Sequence, residues 1–161
     1  MKIPFSGSCQ CGAVTYTVNA EPVFTYACHC SSCQKRTGSA FSLGLVIATE
    51  SLAVKGALTP WSRTSEEGNT NTRYSCASCG NIIYGIGDSN PELTKLQPGT
   101  LEDTSEVEPE VHMWTARKQP WVTLPSRVPQ FETQPDDGLA LLQAALDYRA
   151  QKSSGGHTGN G

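Results

Sequence analysis

Seven cysteines in three tight clusters constrain this chain more than any other feature of it. Cys9 and Cys11 form a C-x-C pair. Cys28, Cys30 and Cys33 form a C-x-C-x-x-C triplet, and Cys76 and Cys79 form a C-x-x-C pair followed by Gly80. Such short turns aim two sulfurs at one ion, and a glycine after the pair lets the backbone turn sharply enough to present them. Free cysteine is a common core residue, but core packing does not predict clustering. The opening Met1-Lys2-Ile3-Pro4-Phe5-Ser6-Gly7 lacks the apolar run of a signal peptide. A cytoplasmic, reducing location is therefore expected, where tightly spaced cysteines are metal ligands more often than disulfides. Seven is also odd, so a pure disulfide framework would leave one thiol over. Zinc is the metal this donor set implies.

Seven thiolates cannot fill two closed four-cysteine sites. They can fill one closed site and leave a three-cysteine site with an open position. Closed zinc sites are typically structural, whereas three-ligand sites keep a place for water or substrate. Spacing leaves the pairing open. Cys30 and Cys33 could join Cys76 and Cys79 as a zinc ribbon, or the outer pairs could close one site and leave the triplet alone.

The rest of the chain reads as loop-rich β structure. Of 161 residues, 37% are hydrophobic and 17% charged, while 15 glycines and 10 prolines supply many turns. A core that small gains from a structural metal. Strands are expected at Ala13–Val18, Val23–Ala27, Ala40–Ile47, Ser51–Lys55, Leu58–Arg63, Thr70–Ser75, Asn81–Ile86 and Leu93–Leu96. Pro60 suggests an edge position for its strand. Ser65–Asn69 is a turn, and the acidic Thr100–Pro109 segment an exposed loop. One long helix is expected, capped by Asp136 or Asp137, with Leu139, Leu142 and Leu146 as its packing stripe. This divides the chain into a zinc-binding domain over 1–135, a helix over 136–152 packed on that domain or on a partner subunit in a homodimer, and a disordered tail over 153–161. A net charge of −3 without a basic stripe excludes general nucleic-acid binding. No stretch approaches the roughly 18 apolar residues that span a bilayer.

These motifs resemble a known family. Gly7-Ser8-Cys9-Gln10-Cys11-Gly12-Ala13-Val14 is similar to the opening of the glutathione-dependent formaldehyde-activating (GFA) family, which includes the centromere protein V type. The likeness continues through Cys28-His29-Cys30-Ser31-Ser32-Cys33-Gln34-Lys35-Arg36-Thr37-Gly38-Ser39-Ala40-Phe41 and resumes at Tyr74-Ser75-Cys76-Ala77-Ser78-Cys79-Gly80. His112 to Trp121, Leu124-Pro125 and Pro129-Gln130-Phe131-Glu132 resemble its ending more loosely, so the likeness spans residues 5 to 132. The resemblance implies a mainly β fold, a β-tent of folded antiparallel sheets with zinc knuckles, here followed by the C-terminal α-helix. It also implies the second pairing, with a structural zinc on Cys9, Cys11, Cys76 and Cys79. The zinc associated with activity would sit on Cys28, Cys30 and Cys33. Glutathione enters as co-substrate through the resemblance alone.

Charge narrows the chemistry. Three thiolates and Zn²⁺ sum to −1, which makes a poor generator of hydroxide but still a centre that can bind an incoming thiol and hold it deprotonated. The expected reaction is carbon–sulfur lyase chemistry: a thiol, glutathione in the family, adds to formaldehyde or a related small electrophile. The alternatives are a zinc-stabilised interaction module without catalysis, and an enzyme of the same scaffold acting on another, biosynthetic substrate. Lys35 and Arg36 are candidates to pair with glutathione carboxylates or to offset thiolate charge. His29 has the chemistry of a proton shuttle, although a residue between two knuckle ligands usually points outward. Thr37 and Ser39 suit turn capping. Trp114 and Trp121 are expected in the core, and His112 receives no role.

Overall fold

The computed structural model describes residues 1–65, 68–135 and 138–155 of the chain. Among them are ten strands in two sheets and a C-terminal helix, a mainly β fold as expected. The chain divides into two compact units. The first comprises residues 1–23 and 44–107, the second residues 24–43 and 108–161.

In the first unit, β1 (Phe5–Ser8), β2 (Thr15–Val18) and β5 (Leu52–Lys55) form an antiparallel sheet in the order β1-β2-β5. A second antiparallel run follows the order β4 (Ser42–Ala48), β9 (Asn90–Leu96), β8 (Ile82–Gly87), β7 (Thr70–Cys76), β6 (Leu58–Thr64). The strand alternation of period two decides what is buried. On β2, Tyr16 and Val18 turn inward and meet Leu45 and Ile47 of β4, Ile83 of β8 and Leu96 of β9 in one core cluster. Cys9 and Cys76 belong to that same cluster, so each outer cysteine pair is rooted in the core by one member. Strand β6, which carries Pro60, lies at the end of its run as expected of a strand lacking one amide. Gly7 pairs with Tyr16, and a β-carbon there would fall 2.2 Å from the Tyr16 hydroxyl and 2.3 Å from the Thr100 carbonyl oxygen. The bare glycine thus lets the Tyr16 hydroxyl reach Thr100 Oγ1 at 2.7 Å.

In the second unit, β3 (Phe24–Cys28) pairs in parallel with β10 (Val111–Met113). Strand β3 runs into a short helix, α1 (Ser31–Thr37), which the spacing of cysteines hides. Its signals are nonetheless present: Cys30 at the N-cap and Gly38 closing it in the left-handed conformation, with the Gly38 amide bonded to the Gln34 carbonyl at 2.9 Å. The long helix α2 (Gly138–Gly155) packs against β3 and β10. Its buried stripe is Leu141, Ala145 and Tyr148, not the expected Leu139, Leu142 and Leu146; Leu139 and Leu146 are exposed. The leucine count favoured the wrong face because Tyr148 carries both apolar bulk and a hydroxyl that bonds Glu108. Glu108 also takes an ion pair from Lys152 at 2.6 Å, and Glu110 takes one from Arg149 at 2.6 Å. The end of the acidic segment is therefore an anchor for α2 rather than a free loop. Helix α2 runs on to Gly155, past the expected end at 152 and into the expected tail; the rest of that tail, the capping residues Asp136 and Asp137, and the turn centre Glu66 and Glu67 lie outside the described residues. No described helix is long and apolar enough to cross a membrane.

Candidate metal centre

The first unit gathers the outer cysteines. Cys9 and Cys11 lie on the turn between β1 and β2, Cys76 ends β7, and Cys79 lies on the turn before β8. The two turns are built alike. The Gly12 amide returns to the Cys9 carbonyl at 3.0 Å, and the Gly80 amide to the Cys76 carbonyl at 2.9 Å. Both glycines take positive φ, 77° and 75°, which is the conformation such a return demands and side chains resist. All four sulfurs lie within 4.8 Å of one another. Cys9 Sγ is 3.5 Å from Cys11 Sγ, and Cys11 Sγ is 3.8 Å from Cys76 Sγ. Four sulfurs held tetrahedrally about 2.3 Å from zinc would stand about 3.8 Å apart, so the donor set fits that ion.

Electrostatics agree with this. Burial opposes charge on Cys9, but the Val14 amide and the thiols of Cys11 and Cys76 overcome it and bring Cys9 down to about 6. Cys11 is eased by the Ala13 amide yet pushed up to about 12 by the Cys9 and Cys79 sulfurs. Adjacent thiols cannot all ionise without a cation among them, and a metal ion supplies that charge.

The second unit gathers the triplet. Cys28 ends β3, Cys30 caps α1, and Cys33 sits in its first turn; their sulfurs also lie within 4.8 Å of one another. The Cys33 amide donates to Cys30 Sγ at 3.3 Å. Bonds from the Cys28 and Cys33 thiols, with the Cys33 and Ser32 amides, outweigh burial and draw Cys30 down to about 2. Cys28 moves steeply the other way, through its bonds to Cys30 and Cys33 and its burial. The three sulfurs thus oppose one another's ionisation, and a cation among them would relieve that opposition.

A family model for "Glutathione-dependent formaldehyde-activating enzyme" matches residues 4–117. The chain belongs to the GFA family. A Halomonas elongata protein bearing the name "Putative glutathione-dependent formaldehyde-activating enzyme" is 30% identical over 148 residues, which is 87% of this chain and 94% of that one. A Penicillium rubens protein of the same name is 33% identical over 79 residues, 48% of this chain and 41% of its own. A crystal structure of a Rhodobacter sphaeroides protein, 27% identical, covers 65% of this chain and 91% of that one with a TM-score of 0.49.

Around the triplet of this GFA protein, the remaining candidates separate. Arg36 turns toward the sulfurs: its Nη2 donates to Ser42 Oγ at 2.7 Å and lies 3.9 Å from Cys33 Sγ, while its Nη1 is buried without a partner. Lys35 makes no bond to the sulfurs and is exposed. Thr37 serves the turn, donating to the Cys33 carbonyl at 2.9 Å and accepting from the Ser39 amide at 3.2 Å.

His29 does not point outward. It is fully buried, its ring 5.3 Å from that of Phe41, and its Nε2 is 3.1 Å from His112 Nδ1. His112, also buried, is held from both sides: β10 pairs with β3, and its amide bonds the Pro129 carbonyl at 2.8 Å. Burial lowers both imidazoles from their ordinary value, aided by the Lys118 charge for His29 and, for His112, which falls to about 4, by the repulsion between two protonated rings so close together. His29 follows the last residue of β3, and its amide donates to the Met113 carbonyl at 3.0 Å, so the backbone stays tied to the end of β10 where the ring meets His112. Trp121, expected in the core, is 71% exposed, and Trp114 is half-buried. Sequence reasoning also missed Gln34, whose Nε2 donates to the His29 carbonyl at 2.7 Å and to the Arg117 carbonyl at 2.9 Å, bracing the Cys28–Cys30 turn. Only its place one residue after Cys33 hinted at this.

Proposed function

We infer that this protein is a zinc-dependent carbon–sulfur lyase of the GFA type, joining glutathione to formaldehyde and catalysing the reverse cleavage. The observation that carries this is the triplet. Three convergent sulfurs at a strand–helix junction make an incomplete donor set, whereas the other cluster has four. Cys28, Cys30 and Cys33 would hold the reactive zinc, and Cys9, Cys11, Cys76 and Cys79 the structural one. When bound at the triplet, zinc supplies a positive centre that keeps a thiol ionised at neutral pH.

In the addition, the sulfur lone pair of the thiolate forms the carbon–sulfur bond at the formaldehyde carbon. The carbonyl π pair moves to oxygen, and the proton lost by the thiol ends there, giving the S-hydroxymethyl adduct. The reverse reaction returns both. The contribution of this chain is placement: β3 and α1 hold the three sulfurs together, Gln34 braces the turn between two of them, and Arg36 offsets the anionic charge beside Cys33.

The addition is already easy without a catalyst, so the test is a rate. Formation of S-hydroxymethylglutathione, followed by exchange NMR at saturating glutathione and formaldehyde, should exceed the spontaneous rate in proportion to enzyme. It should return to the spontaneous rate in Cys30→Ser. Equal rates with and without the protein would overturn the lyase reading.

A further inference from the structure

Beside α1 lies a groove of about 580 Å³ lined by Gln34, Lys35, Gly38, Ser39, Ala40, Gln119 and Trp121. Three features set it apart from ordinary surface. Its lining carries one formal charge, the Lys35 ammonium, in a chain whose net charge is −3. Lys35 is exposed, and among the described residues it has no hydrogen-bond or ion-pair partner. Trp121 presents a largely bare indole, 71% exposed, yet the ring is not loose.

Its orientation is fixed by a chain of side-chain hydrogen bonds. Trp121 Nε1 donates to Gln119 Oε1 at 2.8 Å, and Gln119 Nε2 donates to Gln34 Oε1 at 3.2 Å. Gln34 in turn donates to the His29 carbonyl between Cys28 and Cys30. The wall of the groove is thus tied to the turn that carries two of the three sulfurs. An exposed indole held in one orientation, with an unpaired cation in the same lining, suits a ligand that has both a chain to lie on the ring and an anion to meet the ammonium. Gln119 and Trp121 also lie beyond the 4–117 stretch matched by the family model, so their part is read from this chain's geometry.

We propose that this groove takes the non-reacting, carboxylate-bearing end of the thiol substrate, and that Lys35 and Trp121 determine which thiol the enzyme accepts. Lys35 is the counter-ion and the Trp121 indole the surface along which the substrate chain lies; Gln119 and Gln34 set the ring's angle. Arg36 has no part in it, being committed to Ser42 and Cys33. The proposal rests on the reading of the triplet as the reactive centre, since that is what places the thiol end of the substrate at the cysteines.

The experiment is a calorimetric titration of the zinc-loaded protein with S-methylglutathione, whose alkylated sulfur can neither react nor ionise. Lys35→Ala and Trp121→Ala should each weaken binding by about tenfold. Lys35→Arg and Trp121→Phe should recover most of that loss, and Lys55→Ala on β5 should change nothing. The same ligand with both carboxylates esterified should bind the wild type as weakly as the parent ligand binds Lys35→Ala. No saturable binding to the wild type, or unchanged binding by Lys35→Ala and Trp121→Ala, overturns the proposal. Formaldehyde addition is assayed in parallel. Lys35- and Trp121-dependent binding without acceleration would sink the lyase reading and leave the groove standing. Acceleration with an unchanged glutathione KM in both variants would do the reverse.

Discussion

Cys11 Sγ lies 3.8 Å from Cys76 Sγ, although 65 residues separate them. Two hairpin-like turns far apart in sequence are thereby poised to share an ion, and a cross-link of that span removes much chain entropy from the unfolded state. About two zinc ions per chain are expected under reducing conditions, one for each cluster. Cys76→Ser should lose one and drop stability by several kcal/mol, because its sulfur belongs to the core as well as to the cluster. Cys30→Ser should lose the other with little change in melting temperature. Metal analysis and thermal unfolding of the two variants side by side check this asymmetry; equal destabilisation would contradict it.

Gly7→Ala should be costly for so small a change. The new methyl would meet the Thr100 carbonyl oxygen at 2.3 Å, and backbone cannot step aside as a flexible side chain can. Either β1 separates from the 100–102 segment or Tyr16 gives up its bond to Thr100. A loss of about 2–3 kcal/mol in urea unfolding is expected. A Tyr16→Phe change removes only the hydroxyl bond and should cost about 1 kcal/mol.

The buried histidine pair gives stability a pH dependence. Burial, with the nearby His29, lowers His112 from its ordinary value near 6.5 to about 4 in the folded protein. Above pH 6.5 neither the folded nor the unfolded ring is charged, and the pair costs nothing. As pH falls from about 6.5 toward 4, the unfolded chain takes up a proton that the folded one refuses, so stability is lost through that window and rises again with pH. The loss should reach about 2–3 kcal/mol near pH 4. Denaturant titrations across this range, compared with His112→Phe, isolate the contribution; identical slopes for the two proteins would refute it.

Glu108 should matter to α2 more than an exposed glutamate usually does. It accepts from Tyr148 and pairs with Lys152 and Arg127, and the Lys152 and Tyr148 bonds hold its carboxyl below the usual range. Because the group is about a third exposed, solvent screening limits the effect of Glu108→Ala to about 1–2 kcal/mol. Hydrogen exchange should report faster opening of Gly138–Gly155 with little change in β2 or β4.

The acidic segment shows why charge and exposure must be read together. Glu108 looks like a solvated loop residue in sequence, and it and Glu110 just beyond the segment become anchors only because α2 lays Tyr148, Arg149 and Lys152 across them. The helix itself was legible from its periodicity. Its buried face was not, since three leucines outweigh Leu141, Ala145 and Tyr148 in any count of apolar residues.

By itself, the sequence determined that seven thiols would fall into clusters with metal-ligand spacing, that strands would alternate around a small core, and that the chain would belong to the GFA family. Those properties are local: turn length, glycine placement and period-two patterning act over a few residues. The tertiary structure decided between the pairings that spacing left open, gathering Cys9, Cys11, Cys76 and Cys79 as the family resemblance implied, and it alone decided that His29 turns inward to His112, that Arg36 rather than Lys35 bonds Cys33, and that Trp121 stands in solvent. Each of these depends on partners 65 to 85 residues away or on the direction a side chain leaves its element, as in the contacts of Cys11 with Cys76, His29 with His112 and Gln34 with Gln119. Spacing along the chain carries no information about either until strands have paired.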